Sequence, residues 1–232
     1  MNELKIFLES MNLPCDEETL KIFENYMEGI LEWNEKINLT AIRDRGEFIQ
    51  KHYIDSLMIA NIEEYRAGKA IIDIGTGGGF PGIPLAIVNR DKKFILSDSL
   101  KKRLKVIETL REECGIENCC EVHGRAEQLG RGEHREKYDI AVSRAVANMS
   151  TLSEYCLPLV KQGGYMLAYK GPDADREVKE AEHAIKVLGG KLIRIENVSY
   201  GQFDHNIVII KKIKRTPKKY PRNPGTPSKS PL

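Results

Sequence analysis

The sequence predicts an α/β fold, a mainly parallel sheet of seven strands covered by helices on both faces and preceded by a helical extension. Three observations carry this expectation. From Lys69 onward, short β-branched runs alternate with longer stretches of helical period, as consecutive βα units do. Before Lys69 the apolar spacing is helical. A glycine-rich turn, "GTGGG" from Gly75 to Gly79, directly follows the first strand-like run, where α/β proteins commonly place a ligand loop.

The chain has 232 residues, enough for one substantial domain and an appendage. A hydrophobic content of 41% with 30% charged residues excludes a disordered or membrane-embedded chain as the leading class. The acidic start "MNELKIFLES" lacks the basic-then-apolar order of a secretory signal, so a cytoplasmic location is expected. The five cysteines are odd in number, two are adjacent, and none forms a C-x-x-C pair. Reduced thiols and no metal site are therefore expected.

Residues 1–65 are read as the helical extension. Asp16 is placed to cap a helix in which Leu20, Phe23, Met27, Ile30 and Leu31 make one apolar stripe. "NEKINLTAIRD" (34–44) breaks the period and reads as a loop, and a further helix is expected over 47–62. Residues 66–214 form the sheet domain. Strand "AIIDI" precedes helix 81–90, "KFILSD" precedes helix 100–114, and "CCEVH" precedes a short helix. "YDIAVS" then pairs with helix 150–160 and "YMLAYK" with helix 173–188, after which "KLIRIENVSY" and "NIVIIKK" close the domain as an antiparallel edge pair. Seven strands in this order fit a Rossmann-like sheet, a fold-level analogy. Residues 215–232 carry five of the ten prolines and read as a flexible basic tail. From Lys211 to the end there are eight Lys/Arg and no acid, so a formal charge of +2 leaves residues 1–210 at −6. That asymmetry points to a polyanionic partner.

The glycine turn admits two ligand classes. Gly77 to Gly82 satisfies G-x-G-x-x-G, with Asp98 at the offset expected of a ribose acid, which suits a nicotinamide dinucleotide and a dehydrogenase. The competing frame is Asp73-Ile-Gly75-Thr-Gly77-Gly-Gly79, an acid followed by alternate glycines. Pro81 and Pro84 remove amide donors that a diphosphate needs at the next helix N-terminus. A phosphate-free ligand, S-adenosylmethionine, fits that turn better. A tight βα turn without ligand and a non-catalytic RNA-binding protein are the remaining alternatives.

Taken together, "IIDIGTGGGFPGIPLAI", "SDSLKKR", "GRAE", "YDIAVSRAVA" and "YKG" resemble the bacterial 16S rRNA guanine-N7 methyltransferases of the RsmG (glucose-inhibited division protein B) family. "NLTAI", "KHYIDSL" and "TPKKYPRNPGTPSKSPL" extend the resemblance almost end to end. It implies a class I methyltransferase domain over 66–214 that uses S-adenosyl-L-methionine. The implied substrate is 16S rRNA or a small ribosomal subunit particle, methylated at position 527, with no membrane or DNA partner and a monomeric enzyme. The residues expected at the cofactor are Asp73, Gly75, Gly77, Phe80, Asp98, Ala126, Glu127 and Arg144. From residue chemistry, Asp98 suits ribose hydroxyls, while the resemblance implies that Ala126 and Glu127 meet the adenine. Phe80 suits an apolar wall or a staple onto the sheet. Arg144 and Lys170, at the ends of the fourth and fifth strands, are the candidates nearest the chemistry and for RNA contact. His52 and Asp55 share a helix face and are read as structural. In the tail, Lys218, Lys219, Tyr220 and Arg222 are expected to clamp RNA, the tyrosine by stacking. Guanine N7 bears no proton, so positioning rather than a general base should carry the reaction.

Overall fold

The protein is described by a computed structural model covering residues 1–201 and 203–232. The strands are β1 (Ala70–Ile74), β2 (Lys93–Asp98), β3 (Cys119–His123), β4 (Tyr138–Arg144), β5 (Val160–Lys170), β6 (Gly190–Tyr200) and β7 (Phe203–Lys212). They form one sheet in the order β3-β2-β1-β4-β5-β7-β6. β1 to β5 are parallel, while β7 enters antiparallel between β5 and β6. The order reverses between β1 and β4. Ligand crevices open at such a reversal, beyond the carboxyl ends of the strands.

Both faces are buried, and alternation along the strands divides the core. Ile71, Phe94, Ile140, Leu167 and Ile209 face one layer, made of helices Gly82–Val88 and Lys101–Glu113 together with the N-terminal helices. Ile72, Ala141, Met166, Val208 and Ile210 face the other, made of Met149–Cys156, Ala174–Glu180 and Glu182–Val187. Residues 1–65 do not build a core of their own, because Leu4, Phe23, Tyr26 and Phe48 join the same cluster as Ile71 and Leu85.

Locally the chain follows its sequence signals, with three departures. Helix Glu17–Asn34 is capped as expected, with the Thr19 amide donating to Asp16 Oδ1 at 2.9 Å. The helix expected over 47–62 is instead a short α-turn (Arg45–Phe48), a π-helical turn (Ile49–Ile54) and a final turn (Asp55–Leu57). The expected helix 173–188 divides at Ala181.

The third departure is the tail, which packs rather than hanging free. Thr216 and Tyr220 are buried, 4% and 8% exposed, and Pro227 is buried with them. Prolines preclude a strand ladder, so side chains satisfy the backbone in its place. Arg131 donates to the Pro221 carbonyl at 2.7 Å, and Arg135 donates to those of Thr216 and Tyr220 at 2.6 and 2.8 Å. The Arg222 guanidinium pairs at 2.6 Å with the fully buried Glu154.

Candidate functional site

β1 delivers Asp73 into the core and then turns on glycine. Gly75, Gly77 and Gly79 all have positive φ, at 73°, 60° and 93°. At Gly75 a side chain would also collide with Val146, and at Gly79 with the Tyr26 hydroxyl. Nearly every amide of the turn already has an acceptor. Gly75 and Thr76 donate to Ser97 O, Gly77 to Asp98 Oδ2, Gly79 and Phe80 to Thr76 O, Gly82 to Asp73 Oδ2 and Ile83 to Gly79 O. Pro81 and Pro84 have no amide proton. A diphosphate therefore finds no array of donors at this helix N-terminus.

Above the turn lies a cavity of about 300 Å³ at the sheet reversal. Four expected cofactor residues line it: Gly75, Asp98, Ala126 and Glu127. Asp98 is 6% exposed, and its two oxygens accept the Gly77 and Leu100 amides at 3.0 and 2.8 Å. That grip fixes the carboxylate at the rim and leaves each oxygen a second lone pair. Glu127 is buried and accepts the Gly225 amide of the tail at 2.8 Å, so the tail backs this cavity. Leu100 and Val146, 51% and 37% exposed, supply the apolar walls. Arg103 and Tyr155 also line it. Leu100 and Arg103 fall in "SDSLKKR" and Val146 in "YDIAVSRAVA", but no motif marks Tyr155, and the four become neighbours only through the sheet.

The other four expected cofactor residues lie outside that lining. Asp73 is fully buried beneath the turn, with Oδ2 accepting Thr76 and Gly82 at 2.7 and 2.9 Å. Burial pushes its carboxyl up to about 7, and the two hydrogen bonds offset this only in part. Gly77 faces Asp98 through its amide. Phe80 is 6% exposed and stacks on His52, ring centroids 4.3 Å apart and 5° from parallel. It is a packed wall between the N-terminal helices and the turn.

Arg144 belongs to a second cavity, also about 300 Å³, together with Ala145, Ala147, Leu152, Tyr169 and Lys170. Its guanidinium is pinned by Asp55, by the Lys51 carbonyl at 2.7 Å and by His52 Nδ1 at 3.2 Å. Because Arg144 can only donate, Nδ1 of His52 accepts and its Nε2–H donates to Thr40 Oγ1 at 2.6 Å. Burial, then the Arg144 charge, pulls His52 down to about 3, so the ring is neutral. Burial raises the Asp55 carboxyl, but the hydrogen bond from His205 and the Arg144 charge outweigh it and hold it low. His205 completes the cluster at 2.5 Å from Asp55. The π-turn thus binds the N-terminal segment to the site. Lys170 donates to the Ala147 carbonyl and to Glu177, both at 2.7 Å.

Two of the four residues expected in the RNA clamp have partners within the fold. The Tyr220 ring is buried and Arg222 is held by Glu154. Lys218 and Lys219 are exposed, yet they follow Thr216, whose amide donates to Glu136 just before β4. That is the amino edge of the sheet, opposite the cavities.

A parallel sheet reversed beside β1, with β7 inserted antiparallel between β5 and β6, has the class I methyltransferase fold. Solved structures agree on the fold. A putative O-methyltransferase from Klebsiella pneumoniae aligns with TM-score 0.57 at 12% identity, covering 91% of this chain and 97% of that one. TomG, an O-methyltransferase from Streptomyces achromogenes solved in complex with SAM, aligns with TM-score 0.56 at 14% identity, covering 91% and 96%. Residues 19–208 match the family described as rRNA small subunit methyltransferase G. Relatives bearing that name are 50% identical in Clostridium novyi over all of both chains, and 44% identical in Alkaliphilus metalliredigens over 99% of this chain and 97% of that one. The chain belongs to the rRNA small subunit methyltransferase G family. It is an rRNA methyltransferase, not a dehydrogenase. No helix among the described residues is long and apolar enough to cross a membrane.

Proposed function

We propose that the chain methylates N7 of a guanine in 16S rRNA, free or within a small-subunit particle, with S-adenosylmethionine bound in the first cavity. One observation carries the reading. The glycine turn closes its amides on itself while presenting Gly75 and the rim acid Asp98 to a 300 Å³ crevice. That suits a ligand needing a ribose acceptor and close backbone approach, and it disfavours a diphosphate.

The residues present fit the donor. Asp98 has lone pairs for two ribose hydroxyls, Leu100 and Val146 offer an apolar slot for a planar ring, and Ala126 with Glu127 closes its edge. When bound, S-adenosylmethionine supplies an electrophilic methyl on a sulfonium. The protein's part is to orient the base, exclude water and hold Arg144 still. Guanine N7 carries no proton, so no side chain has to act as general base. The β4 exit "SRAV" accordingly carries no N-P-P-Y-like acceptor for an exocyclic amine.

The test has two parts. Isothermal titration should show heat with S-adenosylmethionine and none with NAD, whereas binding of NAD alone would overturn the reading. In a strain lacking the protein, 7-methylguanosine should vanish from one 16S position and return with the wild-type copy but not with Arg144→Ala.

A further inference from the structure

The second cavity has features that the donor site does not need. It shares one residue with the first cavity, Ala145. The turn from Arg144 to Ala147 is therefore the wall between them, with Val146 lining the first and Arg144 and Ala147 lining the second. Ala145 adopts φ 57°, a left-handed conformation uncommon for a residue with a side chain. Such strain persists where a site over-determines the backbone.

At the second cavity, Glu177 projects from helix Ala174–Glu180. Its Oε2 is engaged by Lys170 Nζ at 2.7 Å and by the Met149 amide at 3.0 Å. Oε1 has no hydrogen-bond partner among the described residues, although the side chain is only 25% exposed. A half-buried carboxylate oxygen, held by its sister atom in a residue that lines a cavity of 300 Å³, is an acceptor awaiting donors. Leu152, Ala147 and Tyr169 give the cavity apolar walls against which a flat ring can lie.

Resting on the proposed N7 chemistry, we infer that the second cavity receives the extruded target guanine and that Glu177 reads its N1–H and 2-amino edge. In guanine that edge lies across the base from N7. A base whose N7 is offered to the donor across the Ala145 wall keeps those donors free for Glu177, which lines the second cavity and not the first. Adenine has an acceptor at N1 and a C–H at C2, so it would leave Oε1 unpaired and be rejected. Lys170 is then a positioning residue, which holds the Glu177 carboxylate in place.

The test uses full-length enzyme and 16S rRNA assembled by splinted ligation, with guanosine, inosine or 2-aminopurine at the methylated position. Inosine lacks the 2-amino group and 2-aminopurine lacks N1–H, while both keep N7. Wild type should prefer guanosine in kcat/KM by about tenfold or more over at least one analogue. Glu177→Gln should lower the guanosine rate and flatten that preference, with S-adenosylmethionine affinity by titration unchanged. Glu177→Asp, which keeps the charge beside Lys170 but withdraws the oxygens by one methylene, should flatten it too and serves if the amide variant fails to fold. A preference that persists in either folded variant overturns the inference, as does a wild type indifferent to both analogues. Failure of wild type to form 7-methylguanosine at all would instead strike the proposed function beneath it.

Discussion

At Gly75 two constraints act on one missing atom. The backbone is left-handed at φ 73°, and a Cβ would meet the Val146 side chain in the wall of the first cavity. Gly75→Ala should therefore weaken S-adenosylmethionine binding by about tenfold or more in titration. Val146→Ala in the same chain should restore part of it, by removing the collision but not the strain. Asp73 makes a different prediction. Its carboxyl stands at about 7 in the folded chain against 3.8 for the free group, so the folded state binds more protons between those values. Its contribution to stability is full below pH 3.8 and is lost as pH rises through about 7. Asp73→Asn cannot ionise and keeps one acceptor for Thr76 and Gly82. Thermal melts should show the variant's deficit against wild type shrinking between pH 5.5 and pH 8.5, and a constant deficit would reject the assignment. Both residues are visible in the sequence as an acid and a glycine in one frame. Their unlike roles are not, because only the buried floor and the open rim of the cavity separate them.

Among the elements, the π-turn at Ile49–Ile54 changes most between sequence and structure. Apolar periodicity registers a helix over this stretch, but a single wide turn leaves the spacing of apolar residues almost unaltered. The turn sets His52 and Asp55 around Arg144, and this gives the "KHYIDSL" motif a role at the site as well as in the fold. Asp55→Asn should leave the Arg144 guanidinium without its charge partner, Asp55 being only 4% exposed. The expected cost is about 3 kcal/mol in urea unfolding. A loss below about 1 kcal/mol would mean that the pair behaves as an ordinary surface bridge. His205, the other partner of Asp55, arrives from β7, some 150 residues away in sequence, and no local signal could have placed it there.

For the molecule as a whole, the tail is an integral part of the fold. It runs from the amino edge of the sheet, where Thr216 is bonded to Glu136, to the first cavity, where Gly225 is bonded to Glu127. Ending the chain after Lys214 removes buried Tyr220 and Pro227 and leaves Glu154 as an unpaired buried carboxylate. The truncated protein should melt at least about 10 °C lower and bind S-adenosylmethionine more weakly, in keeping with the loss of a packed segment and a buried pair. The paired substitution Lys218→Gln and Lys219→Gln should leave the slope of log K for RNA against log salt unchanged within about one unit. A fall of roughly two units would restore the clamp.

Residue order was enough to specify the strand–helix alternation, the helical start, the glycine turn and its unsuitability for a diphosphate. Each of these depends on spacing along the chain, on backbone permission at glycine or on the missing amide of proline. Tertiary structure alone decided that Phe80 packs against His52, that Arg144 serves the second cavity, and that a basic, proline-rich tail lies buried against Glu154 and Glu127. Those outcomes depend on which distant groups are left needing a partner once the sheet has closed, and pairing across space leaves no period in the chain.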